Sequence, residues 1–206
     1  MKIICIGRNY LEHAKEMGKS ITKEPIFFLK PDSSLIAKKQ PFFLPDFSDN
    51  IHYEVELVYK IKKVGKSIDP VFSKDYYDKV GLGIDFTARD LQAKCKSNGH
   101  PWEIAKSFDQ SALVGEDFFD VSSLKDLNFS LLKNGETVQK SNANEMVFSI
   151  DQIISYVSKF ITLKIGDLIF TGTPSGVGPV RIGDKLEGFI NIKEINNFIL
   201  YLLKNI

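Results

Sequence analysis

The chain has 206 residues, 43% hydrophobic and 26% charged, and its 27 basic and 26 acidic side chains leave a net charge of +1. That balance excludes the basic footprint nucleic-acid binding requires, and no apolar run approaches the ~20 residues of a membrane-spanning helix. A chain this long buries roughly 70% of the surface it exposes when unfolded, so it needs no disulfides; its two cysteines, Cys5 and Cys95, suit a reducing, cytoplasmic compartment.

The opening MKIICIGRNY has neither a long apolar core nor an Arg/Ser-rich amphipathic stretch, which argues against a signal or transit peptide. Ile3–Ile6 reads as a strand, followed by a short helical patch. Asn9 is its expected cap, Glu12 completes a capping box three residues on, and Gly18 supplies the stop. The apolar runs Ile26–Leu29 and Phe42–Leu44, bounded by Pro31, Pro41 and Pro45, predict strands and turns. Residues 51–61, IHYEVELVYKI, alternate with period two, which predicts one strand. Ile51, Tyr53, Val55, Leu57, Tyr59 and Ile61 lie on one face, and His52, Glu54, Glu56, Val58 and Lys60 on the other.

Val80–Phe86 is another apolar strand, leading into a helix from Thr87 with Thr87 and Asp90 spaced as a capping box. Asn128–Lys133 is strand-like and runs into an Asn134-Gly135 turn. Ser149–Val157 reads as a helix capped by Ser149, and Ile165–Phe170 as a strand entering the Gly/Pro loop TGTPSGVGP. Strands at Leu186–Ile192 and Phe198–Leu203 complete the chain. With no repeat, low-complexity tract or linker, residues 1–206 read as one α+β domain rich in short strands.

Glu54 and Glu56 point the same way on their strand, with Cα atoms roughly 6–7 Å apart. Alternation alone favours an ordinary solvent face, since charged residues usually lie outside. Asp85 shifts the balance, because it sits within the apolar segment VGLGIDFTA, where an unpaired carboxylate is very costly. It must be paired, cap the following helix, or bind a metal. Three carboxylates without a Cys/His cluster favour Mg2+ or Mn2+ over Zn2+.

His13 and Glu16 are three apart and share a helix face, the arrangement by which a carboxylate orients a general base; an exposed pair of little consequence has the same spacing. Arg89 and Gln92, also three apart on the helix just after Asp85, could reach a carboxylate bound to the same ion, and Lys106 lies in the apolar stretch WEIAKSF. Thr173 sits in the TGTPSGVGP loop, which lacks the Lys-Ser/Thr of a P-loop but can present amides and a hydroxyl to a small anion. His52 and His100 read as structural.

In order, the blocks GRNYLEHAKE, FFLKPDSSL, HYEVEL, GIDFTARDLQ, PWEIAKSFD and TGTPSGVGP make the chain resemble the fumarylacetoacetate hydrolase superfamily, nearest its compact acylpyruvate hydrolase branch, which also includes oxaloacetate decarboxylases and tautomerases. The resemblance implies a mixed β-roll assembled as a homodimer. It implies Mg2+ or Mn2+ on Glu54, Glu56 and Asp85, a His13–Glu16 dyad on a segment that can close, catalytic Lys106, and contacts from Arg89, Gln92 and Thr173 to a bound 2-oxo acid. The expected reaction is hydrolysis of an acylpyruvate between C3 and C4. Its alternatives are decarboxylation or keto-enol tautomerisation of oxaloacetate, isomerisation of 2-hydroxyhepta-2,4-diene-1,7-dioate, and non-catalytic binding of a metal or ligand.

Overall fold

A computed structural model describes residues 1–18, 20–124, 126–190 and 195–204. The first half contains β1 (Ile3–Gly7), α1 (Leu11–Glu16), β2 (Ile26–Lys30), β3 (Phe42–Leu44), β4 (Ile51–Tyr53), β5 (Val55–Ile61) and β6 (Tyr77–Asp85). Next come β7 (Thr87–Ala88), α2 (Arg89–Asn98), α3 (Glu103–Lys106), β8 (Ala112–Val114) and β9 (Phe119–Asp120). Then follow β10 (Asn128–Lys133), β11 (Glu136–Asn142), α4 (Ile150–Ser158) and β12 (Leu168–Phe170). The last strands are β13 (Gly178–Pro179), β14 (Lys185–Ile190) and β15 (Ile195–Lys204).

The strands form a seven-stranded sheet in the order β2-β1-β12-β5-β6-β8, with β9 also on β6, a five-stranded sheet β11-β10-β14-β15-β3, and a three-stranded sheet β13-β4-β7. β1 lies parallel to β12 and β15 parallel to β3; the other pairings are antiparallel. Leu57, Leu82, Leu131 and Leu186 are fully buried in one core shared between the larger sheets, each contributing roughly 1.5–3 kcal/mol by leaving water. Phe42 stacks on Phe86 at 4.1 Å. α4 buries Ile150, Ile153, Ile154 and Val157, the helical i, i+3, i+4, i+7 pattern. Its capping box is complete, with Ser149 and Gln152 satisfying each other's backbone N–H groups. Gly18, at φ +63°, ends the α1 region as expected.

The structure corrects several sequence expectations. Residues 51–61 form two strands, because Glu54 breaks the run and β4 and β5 enter different sheets. Asn9 does not cap α1; Tyr10 holds that position without a side-chain bond. The Asn9 amide instead donates to the Phe148 and Thr171 carbonyls and accepts from the Phe148 N–H, while Glu12 pairs with Lys15 in solvent. Thr87 and Asp90 form no capping box: α2 begins at Arg89 with Ala88 at its cap. The Thr87 hydroxyl is bonded to Lys106, and Asp90 accepts from Ser48. β12 starts only at Leu168, after a turn at Gly166 with φ +87°. The end of the expected Leu186–Ile192 strand, Asn191 and Ile192, lies outside the described residues.

Candidate active site

β5 and β6 pair so that Val55 faces Ile84 and Glu56 faces Gly83. The Asp85 N–H donates to the Glu54 carbonyl at 2.8 Å, clamping the start of one strand to the end of the other. Glu54, Glu56 and Asp85 thereby converge, with one carboxylate oxygen from each lying within 4.8 Å of the others. Their residue exposures are 4%, 1% and 1%, which removes the solvent-face reading of this strand.

Three cations surround the acids. Lys106 Nζ donates to Glu54 Oε2 at 2.7 Å, Asp85 Oδ2 at 2.8 Å and Thr87 Oγ1 at 2.6 Å, engaging all three of its protons. Arg89 Nη2 donates to Glu54 Oε1 at 2.5 Å and Nη1 to Gln92 Oε1 at 3.0 Å. Lys30, fully buried at the end of β2, stands 2.9 Å from Asp85 Oδ1 and bonds to Ser111 and to the Lys106 carbonyl. Sequence reasoning passed over Lys30. The available signal was the one that singled out Asp85: a charged residue closing an apolar run, in IFFLK.

Burial alone would push the Glu54 carboxyl up, yet Lys106, Arg89 and His13 hold it well below the usual carboxylate range. Glu56 is different. Burial, then the charges of Asp85 and Glu54, push it well above that range despite opposition from Lys106 and the Gly172 N–H, which donates to it at 2.7 Å. Asp85 Oδ1 is buried and accepts no hydrogen bond, Lys30 meeting it only as an ion pair. Under-compensated oxygens among three convergent carboxylates fit a small divalent cation, and the all-oxygen donor set suits Mg2+ or Mn2+.

His13, 7% exposed on α1, sets Nδ1 3.0 Å from Glu16 Oε2. Glu16 also accepts from the Gly176 N–H at 3.1 Å, so the carboxylate orienting the imidazole ties α1 to the loop after β12. The loop requires glycine at two positions. Gly172 has φ +96° and a Cβ there would lie 2.8 Å from that of Asn9; Gly176 has the same φ and its Cβ would lie 2.2 Å from the Val138 carbonyl oxygen. Between them Thr173 accepts from Gln139 Nε2 at 2.9 Å.

A cavity of about 50 Å³ joins these groups, lined by His13, Glu54, Glu56, Asp85, Arg89, Gln92, Lys106 and Thr173. Glu16 stands behind His13. His52 bonds Asn50 through Nε2 and His100 is exposed; neither lines the cavity.

The family model for the fumarylacetoacetate hydrolase C-terminal domain matches residues 2–198. The chain belongs to that family. It is 44% identical over 192 residues to the mitochondrial oxaloacetate tautomerase of Mus musculus, covering 92% of this chain and 86% of the relative. It is 43% identical over 190 residues to the mitochondrial oxaloacetate decarboxylase of Dictyostelium discoideum, covering 90% and 87%. Among solved structures, the fumarylpyruvate hydrolase of Pseudomonas aeruginosa in complex with Mn2+ and pyruvate superposes with a TM-score of 0.91 at 35% identity, covering 100% of this chain and 90% of the other. The strand-rich α+β architecture is that of the family, and the chain is an enzyme of the family. Among the described residues, no helix is long and apolar enough to cross a membrane.

Proposed function

We propose that the chain is a Mg2+- or Mn2+-dependent hydrolase that cleaves acylpyruvates between C3 and C4, giving pyruvate and a carboxylic acid. One observation carries this reading: three buried convergent carboxylates and a carboxylate-oriented histidine share one small cavity. When bound by Glu54, Glu56 and Asp85, the ion supplies Lewis-acid polarisation of the substrate's carboxylate and 2-oxo group.

The chain's own groups do the rest. Arg89, Gln92 and Thr173 hold the chelating end of the substrate. With Nδ1 anchored on Glu16, His13 has Nε2 available to take a proton from water as it attacks the C4 carbonyl. Breaking C3–C4 leaves the electron pair on C3, and the proton returns to that carbon. Lys106 stabilises developing negative charge, but it has no spare proton until Glu54, Asp85 or Thr87 releases it. A binding protein would need neither a base nor its orienting carboxylate.

The second reading keeps the same site and acts on oxaloacetate, by decarboxylation or keto-enol tautomerisation. The 44% and 43% identical relatives that bear those activities support it. Assembly as a homodimer belongs to both readings, supported by the exposed apolar side chains of Ile199, Tyr201 and Leu203 on β15. A cytoplasmic location is supported by the two free cysteines, Cys5 and Cys95, whereas the oxaloacetate tautomerase and decarboxylase relatives are mitochondrial.

The test is an assay of purified protein on acetylpyruvate and oxaloacetate with Mg2+, Mn2+ or EDTA. Metal-dependent pyruvate and acetate from acetylpyruvate is the expected result. Turnover of oxaloacetate alone selects the second reading, and metal-independent or absent turnover of both overturns the proposal.

A further inference from the structure

Two of the cations lining the cavity form no ion pair with its acids. Arg8 and Lys96 line it together with Arg89 and Lys106, against the three carboxylates. Arg89 and Lys106 are committed to Glu54 and Asp85. Among the described residues, no carboxylate lies within ion-pairing distance of Arg8 or Lys96. Arg8 is half-buried and Lys96 exposed, so they flank the solvent side of a cavity whose floor is the buried acid cluster. Apolar side chains, among them Met17, Phe28 and Trp102, also line it.

Two further features fit this position. Arg8 has φ +58°, a left-handed conformation that is unfavourable for a residue with a Cβ and that persists where surrounding structure enforces it. Its neighbour Asn9 supplies that restraint through bonds to Phe148 and Thr171. Lys96 sets its ammonium 5.5 Å from the Trp102 ring centroid. Partial desolvation of the ammonium, then the charges of Arg89, Lys106 and Arg8, lower the Lys96 pKa to about 8 against the opposing charge of Glu54, as expected of a cation crowded chiefly by like charges.

We propose that Arg8 and Lys96 form a second anion subsite that receives the distal carboxylate of a dicarboxylic 2-oxo acid. The inference rests on the 2-oxo acid reading of the site and narrows its substrate class: one end is chelated, the carbons lie along the apolar wall, and the other end is charged. Oxaloacetate meets this description, as does an acylpyruvate whose acyl group carries a carboxylate. Acetylpyruvate would turn over without using the subsite.

The experiment is calorimetric titration of the Mn2+-loaded protein at pH 7 with 2-oxoglutarate and 2-oxopentanoate, which differ only in whether the far carbon is a carboxylate or a methyl group. The wild type should bind the dicarboxylate roughly 10- to 100-fold more tightly, the range for a charge-assisted contact. Arg8→Gln and Lys96→Gln should each shrink that preference and together abolish it, with Mn2+ affinity unchanged as the check on folding. Equal binding of both acids by the wild type, or a preference that survives in the double variant, overturns the subsite but leaves the 2-oxo acid reading standing. Failure of the Mn2+ form to bind either acid overturns that reading and the subsite with it.

Discussion

Lys106 Nζ lies 2.7 Å from Glu54 Oε2, and both groups are almost wholly removed from solvent. Breaking such a pair by removing one partner leaves a buried, uncompensated charge. Lys106→Met leaves Glu54 with Arg89 and Asp85 with Lys30, so it should cost the metal-free protein less than the about 3–5 kcal/mol of a fully unpaired buried charge, read as a lower urea midpoint in EDTA. An unchanged midpoint would mean that Lys106 does not neutralise the acids.

Under the proposed mechanism, His13 and the acids have separable roles. His13→Ala should keep Mn2+ affinity near the wild-type value while reducing turnover by roughly 10²–10⁴-fold, the range for losing a general acid–base group. Steady-state assays beside a metal titration check both halves. Full activity in the variant would exclude the His13–Glu16 dyad.

His52 makes stability depend on pH. Burial, then the Arg89 charge, lower its pKa from 6.5 to about 4, and its Nδ1 is buried without a partner. Between those values the unfolded chain binds the proton more readily than the folded one, so stability is fully present above pH 6.5 and declines as pH falls toward 4. Urea midpoints measured across this window should decline less steeply in His52→Gln than in the wild type. Identical slopes would assign the acid sensitivity to other groups.

Gly176 couples backbone shape to the dyad. An alanine there must adopt a left-handed φ with its Cβ against the Val138 carbonyl, a cost of about 1–3 kcal/mol for the backbone strain. Its displacement also weakens the Gly176–Glu16 bond. Gly176→Ala should lower both the melting temperature and kcat. A loss of stability with kcat intact would show that Glu16 holds His13 without the loop.

The sequence carried most of the site because its chemistry is local. Glu54 and Glu56 stand out within a two-residue period, and Asp85 within an apolar run. Asn9 illustrates what local reading misses: its cap chemistry is real, but its partners, Phe148 and Thr171, lie 139 and 162 residues away. Thr87 likewise had the spacing of a cap and is bonded to Lys106. The break at Glu54 was invisible to alternation, which continues through a change of sheet. Lys30 escaped notice because its significance depends on Asp85 and Ser111 meeting it across the fold.

The central claim, that Glu54, Glu56 and Asp85 hold a divalent ion, is tested most directly by titrating Mn2+ into the wild type, Asp85→Asn and Glu56→Gln and following water-proton relaxation. The account predicts a single tight site per chain in the wild type and, in each variant, a loss exceeding the roughly 10–100-fold that removal of an outer-shell partner costs. Folded variants that bind Mn2+ as tightly as the wild type would contradict it.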